Sequence, residues 1–98
     1  MPVALVRIHI KYHNMLRRLT GVDMQALDLP AGCTVQTALE AISRQYGHHL
    51  HEMLFSPNGT VATHLVIFHN GQLTRDDPDG LLLSEGDELM LFPSISGG

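Results

Sequence analysis

The sequence predicts an α+β domain in which one main helix packs on one face of a sheet of about four to five strands. Three patterns lead to this fold class: alternating apolar residues near the N-terminus, one capped helical pattern, and later apolar runs separated by glycine-containing turns. With 98 residues, 44% of them hydrophobic, the chain can bury one modest core. The expected order is strand, strand, helix, strand, short strand, strand.

The first predicted strand covers residues 4–12, where every even-numbered residue is apolar or aromatic. A short polar stretch, residues 13–21, follows it. Within this stretch Leu16 and Leu19 are expected to point inward as anchors.

The second predicted strand begins with an alternation that places Val22, Met24 and Ala26 on one face. Its phase slips after Ala26, because Leu29 continues the alternation out of register. We therefore expect a bulge or a strand end at that point. The first two strands are expected to form a hairpin.

The clearest helix of the sequence begins after Thr34, a good N-cap residue, and stops at Gly47. Its apolar residues follow helical spacing: Val35, Ala38, Leu39, Ile42 and Tyr46. Residues 48–55 are expected to add one or two further turns before a turn at residues 56–59.

The second half of the chain predicts three strands. Residues 61–68 are apolar enough for a central strand that is covered on both faces. Asn70 and Gly71 favour a tight hairpin turn into a short strand at residues 72–74. Residues 88–92 form the final strand, and its unbroken apolar run leaves open which side chains belong to the core.

The net charge of −4 argues against a nucleic-acid partner, because residues 51–98 contain seven acidic side chains and a single arginine. This acidic half is either a steering surface for a basic protein or a solvated face. We find no apolar stretch long enough for a bilayer and no signal peptide, so we expect a cytoplasmic protein without a membrane partner.

Two further groups of residues are candidate sites. His48, His51 and Glu52 share one helical face, which suits either a metal triad or a solvated helix end; His49 belongs to the same histidine cluster. Cys33 precedes the main helix and is either a reactive thiolate or a small packing residue. We assign no metal site and no catalytic side chain.

The C-terminus is a diglycine, Gly97 and Gly98, that follows the final apolar strand and Pro93. Neither glycine has a Cβ, so the terminal carboxylate lies on a slender and flexible segment. Such a tail can enter the active site of another protein. The alternative is an ordinary frayed terminus.

The closing segment, residues 83–88 followed by an apolar strand, Pro93 and the diglycine, resembles that of the β-grasp, ubiquitin-like sulfur carriers of the MoaD, ThiS and CysO type. Residues 16–21, 34–35 and 69–71 also match segments of that family. Residues 48–59 make the chain longer than typical ThiS or MoaD carriers and closer to the CysO type. Ser94 and Ser96 stand where small apolar residues are common in the family.

The resemblance implies a β-grasp domain at residues 1–93 and a flexible tail at residues 94–98. It implies that an E1-like enzyme adenylates Gly98, using ATP and magnesium, and that Gly98 then becomes a thiocarboxylate. This chain would be no enzyme and hold no cofactor. Gly97 would enter the partner's channel, and Phe92, Pro93 and Ile95 would contact the partner.

The resemblance also implies a second partner, a synthase that accepts the sulfur. This would be a molybdopterin synthase large subunit, a thiazole synthase or a cysteine synthase, and the sequence does not distinguish among them. An alternative function is a ubiquitin-like modifier that is joined through Gly98 to lysines of other proteins. A third is an interaction domain whose tail takes no part in chemistry.

Overall fold

The structure is a computed structural model that describes residues 4–62, 65–74 and 81–93. Its helices and strands are β1 (Leu5–Tyr12), α1 (Met15–Thr20), β2 (Met24–Pro30), α2 (Val35–Tyr46), α3 (His48–Leu54), β3 (Leu65–His69), β4 (Gln72–Thr74) and β5 (Glu88–Pro93). The strands form one sheet in the order β2-β1-β5-β3-β4, in which β1 and β5 run parallel and the other neighbours antiparallel. The predicted α+β fold is confirmed.

The sheet has one face covered by helices and one open face. On the covered face, Ile8 and Ile10 of β1 and Leu91 of β5 are fully buried in a core that also contains Leu39 and Ile42 of α2. Among the described helices, none combines the length and apolar character needed to cross a membrane.

The β1-β2 hairpin is confirmed, but its second strand differs from the prediction. Pairing runs without interruption from Leu5 opposite Pro30 to Lys11 opposite Met24, so the expected bulge after Ala26 is wrong. The inward face of β2 also begins with a polar residue, Gln25, whereas Met24 and Ala26 are exposed.

Gln25 faces inward because the hydroxyl groups of two tyrosines donate hydrogen bonds to its Oε1 atom. The distances are 2.5 Å from Tyr12 and 2.7 Å from Tyr46. Its own amide nitrogen donates to Oε1 of Gln45 at 2.9 Å. A polar side chain can occupy this inward position since its hydrogen bonds are satisfied there.

The polar stretch after β1 contains a short helix, α1, that the sequence pattern does not predict. Leu16 is buried and Leu19 partly buried, which confirms both as inward anchors. Asn14 precedes the helix with φ 55° and ψ −127°, and Gly21 ends it in the left-handed conformation.

Helix α2 has the predicted bounds. Thr34 caps its N-terminus by accepting a hydrogen bond from the backbone of Thr37, and the Thr37 hydroxyl accepts one from the backbone N–H of Thr34. Gly47 ends the helix at φ 94°, and α3 follows at once, as expected for residues 48–55.

Strand β3 begins at Leu65, later than the predicted strand at residues 61–68. Val61 makes an isolated bridge with Phe55 instead. Only Ile67 of β3 is buried, so the expectation of a strand covered on both faces is wrong. The predicted turn at Asn70 and Gly71 is confirmed, with φ of 50° and 85°.

The turn that leads into β5 is fixed to the β3-β4 hairpin by Asp87. Its carboxylate lies 2.8 Å from Nε2 of His69 and accepts hydrogen bonds from the Asn70 side chain at 3.0 Å and the Ser84 backbone at 2.8 Å. Asn70 in turn accepts from the backbone N–H of Glu88 at 2.8 Å. The start of β5 is therefore held by a neighbouring turn as well as by the sheet.

Candidate functional site

Strand β5, which leads to the C-terminal tail, is the middle strand of the sheet. Leu89 and Leu91 are fully buried on the covered face. Met90 and Phe92 therefore belong to the open face, where both are half-buried. The register decides what the sequence left open, because it assigns each of the four apolar residues to one face.

Of the predicted site residues, Phe92 and Pro93 are described, whereas Ile95, Gly97 and Gly98 lie outside the described residues. Phe92 lies on the open face. Pro93 is buried and pairs with Leu65 of β3. Pro93 is thus the last described residue before the tail.

Phe92 belongs to an apolar surface formed by three strands, which we call the open-face patch. It consists of Val66, Phe68, Leu73, Met90 and Phe92. Cross-strand pairing brings them together: Val66 lies opposite Phe92, and Phe68 lies opposite both Met90 and Leu73. The rings of Phe68 and Phe92 meet edge to face with their centroids 5.6 Å apart.

The open-face patch is bordered by polar side chains of β1 and its C-terminal end. Lys11 forms an ion pair with Glu88 at 3.4 Å. The His13 ring stacks on Phe92, with centroids 4.2 Å apart and planes 5° from parallel. The patch therefore combines an apolar centre with a partly polar rim, an arrangement typical of protein interfaces.

The neighbouring charges on β1 and β2 are also paired. Arg7 donates two hydrogen bonds to Asp28, at 2.8 and 3.2 Å. Hydrogen bonding from Arg7 lowers the pKa of the Asp28 carboxyl below its ordinary value. The charges of Arg7 and Asp28 therefore offset each other beside the open-face patch.

The side chains of the other candidate sites contact neighbours in the described residues. Nε2 of His48 contacts the Glu52 carboxylate on the exposed surface of α3, and His51 stacks on Phe55. In the part of the chain that the structure describes, no three His, Cys, Asp or Glu side chains are arranged to hold a metal ion. Cys33 is buried in the core, which confirms its interpretation as a packing residue, and burial raises its pKa.

Comparison with known proteins adds sequence and structural relatives. The model of the ThiS family matches residues 10–98. The molybdopterin synthase sulfur carrier subunit of Drosophila yakuba is 27% identical over 94 residues, which cover 96% of this chain and 93% of that protein. Small archaeal modifier protein 1 of Haloferax volcanii is 32% identical over 85 residues, covering 85% of this chain and 91% of the relative.

A solved structure agrees with these matches. The crystal structure of small archaeal modifier protein 1 from Haloferax volcanii superposes with a TM-score of 0.79 at 28% identity. The match covers 94% of this chain and 99% of the other. The similarity therefore extends over nearly the whole of both chains.

Proposed function

The chain belongs to the ThiS family of sulfur carriers and ubiquitin-like small modifiers, and from this membership we propose that it carries sulfur as a thiocarboxylate on Gly98. The match of the family model through residue 98 is the observation that carries the proposal. The fold adds support, since the middle strand of the sheet leads directly into the segment that ends in the diglycine.

The proposed chemistry requires activation, because a carboxylate is a poor electrophile. An E1-like partner would join the Gly98 carboxylate to AMP, using ATP and magnesium and releasing pyrophosphate. A persulfide would then attack the acyl carbon, with AMP as the leaving group, and a thiol would reduce the resulting acyl disulfide to the thiocarboxylate. The partner would stabilise the transferring groups, and this chain would present its tail.

In this proposal the open-face patch docks the adenylating partner. Phe92 is its central anchor, because it is half-buried, lies two residues before the tail and contacts Phe68. Aromatic side chains in such positions often dominate binding energy. Gly97 and Gly98 would pass into a channel too narrow for side chains, with Pro93 and Ile95 near the entrance.

For the sulfur acceptor we propose a molybdopterin synthase large subunit. The named sulfur carrier subunits among the relatives belong to molybdopterin synthase, and they match over nearly their whole length. A thiazole synthase or a cysteine synthase remains the alternative acceptor. Purified acceptors of the three kinds, each mixed with the thiocarboxylated chain, would show which one consumes the sulfur.

A second function, conjugation to other proteins, is favoured by the relative that is named a small archaeal modifier protein. Here a lysine amine would attack the same Gly98 adenylate and form an isopeptide bond. Immunoblots of cells that express a tagged chain separate the two functions. A ladder that disappears on deletion of Gly98 indicates conjugation, whereas activation without a ladder indicates sulfur transfer.

The direct test of the proposed function is mass spectrometry of the chain after incubation with its adenylating enzyme, ATP and a sulfur donor. Exchange of one oxygen for sulfur adds almost the same mass as oxidation of one methionine, and the chain has five methionines. Fragment spectra must therefore separate Gly98 from Met90, which lies in the same tryptic peptide after Arg75.

Alkylation under native conditions gives a second readout. Cys33 is buried and its raised pKa disfavours the thiolate, so an alkylating reagent should reach a Gly98 thiocarboxylate first. The matched control is Cys33→Ala, in which the thiocarboxylate is the remaining sulfur nucleophile. If Cys33→Ala takes up no reagent after activation, the proposal of a thiocarboxylate is wrong.

A further inference from the structure

Two methionines lie on the open face of the sheet, and they differ in exposure. Met24 of β2 is 52% exposed, whereas Met90 of β5 is half-buried within the open-face patch. The other described methionines lie elsewhere. Met15 belongs to α1 and is 44% exposed, and Met53 of α3 packs against the core.

Met24 and Met90 belong to one row of side chains that crosses all five strands of the sheet. Lys11 lies opposite Met24 on one side and opposite Met90 on the other, and the row continues through Phe68 to Leu73. Neighbouring strands are about 4.8 Å apart, so the backbones of Met24 and Met90 lie about 10 Å apart. The row therefore extends the apolar surface beyond the open-face patch to β2.

Lys11 brings a charge into this row, but its ammonium group is paired with a residue outside the row. Nζ lies 3.4 Å from the carboxylate of Glu88, which comes two residues before Met90 on β5. The methylene stem of a lysine can cover apolar neighbours while its charged end lies elsewhere. Met24 is therefore continuous with the open-face patch through the stem of Lys11.

Oxidation converts the apolar thioether of methionine into a polar sulfoxide. A peroxide transfers one oxygen to the sulfur as its O–O bond breaks, and its second oxygen leaves as water. The sulfur loses the two electrons that the peroxide gains. A sulfoxide oxygen that is buried against apolar groups without a hydrogen-bond donor is unfavourable, so oxidation disfavours any complex that covers the methionine.

We propose that Met24 is a docking residue for the adenylating partner, and that its oxidation to the sulfoxide is a reversible switch that weakens docking. The inference rests on the proposed function, since it takes the open face as the surface that this partner binds. Met24 suits the role because it is open to an oxidant in the free chain and is covered when a partner binds the row. Methionine sulfoxide reductases restore the thioether, which makes the change reversible.

The test compares dissociation constants for the adenylating partner, measured by isothermal titration calorimetry before and after mild treatment of the chain with hydrogen peroxide. The treatment is stopped while Met90 is still unmodified. The treated wild type should bind roughly fivefold to thirtyfold more weakly, and treatment with methionine sulfoxide reductases should restore its affinity.

Peptide mass spectrometry shows which methionine has reacted, because trypsin places each described methionine in a peptide of its own. These peptides are residues 12–17 with Met15, 19–44 with Met24, 45–75 with Met53 and 76–98 with Met90. In the free chain the Met24 peptide should gain oxygen well before the Met53 peptide, since Met24 is exposed and Met53 packs against the core.

Three variants assign the effect to one side chain. Met24→Leu lacks the sulfur, so its dissociation constant should be the same before and after peroxide, whatever its starting value. Met15→Leu is the matched control, because it removes an exposed methionine outside the row, and it should show the full wild-type loss on oxidation. Met24→Gln places a polar group in the row without any oxidant, and it should bind roughly fivefold to thirtyfold more weakly than the wild type.

Three results would overturn the inference. Peroxide could weaken binding by Met24→Leu as strongly as by the wild type, Met24→Gln could bind as tightly as the wild type, or Met24 could be oxidised no faster than Met53. Failure of the untreated wild-type chain to bind contradicts the proposed docking surface instead. The order of oxidation needs no partner, and it still tests Met24 in that case.

Discussion

Leu91 and Phe92 are adjacent residues whose truncation should separate folding stability from partner binding. Leu91 is fully buried on the covered face of the sheet, whereas Phe92 is half-buried on the open face. We expect Leu91→Ala to destabilise the fold with its docking surface intact. Phe92→Ala should weaken binding of the partner and leave most of the folding stability.

Leu91→Ala should lower the free energy of unfolding by about 2–5 kcal/mol, because truncation of a fully buried leucine leaves a cavity in a packed core. For a domain of this size that corresponds to a thermal midpoint lower by about 10 °C or more. Phe92→Ala removes ring contacts with Phe68 and His13 and should lower the free energy of unfolding by about 1–3 kcal/mol, on the order of two aromatic pairs and less than the loss for Leu91→Ala.

The effects on binding should have the opposite order. An aromatic anchor at the centre of an interface contributes at least about 2 kcal/mol, which corresponds to a dissociation constant roughly 30-fold higher for Phe92→Ala. Leu91 does not reach the open face, so Leu91→Ala should bind with nearly the wild-type affinity wherever it is folded.

Urea unfolding measures the free energy of unfolding of each variant. Isothermal titration calorimetry with the adenylating partner measures the dissociation constant, at a temperature where both variants are folded. The reasoning is refuted if Phe92→Ala binds as tightly as the wild type. It is also refuted if Phe92→Ala loses as much stability as Leu91→Ala, because Phe92 would then be a core residue.

Two further predictions concern polar groups that support the sheet. Gln25→Ala should lower the free energy of unfolding in urea by about 1–3 kcal/mol, because it leaves the buried Tyr12 hydroxyl without an acceptor. The control Gln45→Ala should change that free energy by no more than about 0.5 kcal/mol. Equal losses in the two variants would contradict this role of Gln25. Burial alone would raise the pKa of Asp87, but hydrogen bonds from His69 and neighbouring donors outweigh it and lower the pKa. Since the folded pKa is depressed, this stabilisation is present above the ordinary value of about 4 and is lost as the pH falls below it. Asp87→Asn should therefore lose less stability than the wild type on acidification, and an unchanged pH profile would contradict that assignment.

The helix α2 could be predicted from sequence because its signals are local. Thr34 and Gly47 mark its ends through the conformations they favour, and the spacing of its apolar residues needs no knowledge of the sheet. The inward face of β2 could not be predicted in this way. Gln25 faces inward because it accepts hydrogen bonds from the hydroxyl groups of Tyr12 and Tyr46, which come from two other elements of the fold.

The candidate site can likewise be predicted from the sequence only in part. The diglycine and the strand before it can be read directly from the order of residues, and so can Phe92 as a candidate contact. The open-face patch cannot, because Val66, Leu73 and Met90 come from three strands and meet only through the register of β3 with its neighbours. An apolar run such as Leu89–Phe92 has no polar residue to indicate which face is open.

The position of β5 is compatible with the proposal that this small domain presents its C-terminus to a partner. As the middle strand, β5 is paired on both sides, so the chain is held firmly up to Pro93, where the tail begins. The helices lie on the other face, and the long segment at residues 48–59 belongs to that side through the buried Leu50 and Leu54. A partner that binds the open-face patch and the tail would not meet this segment.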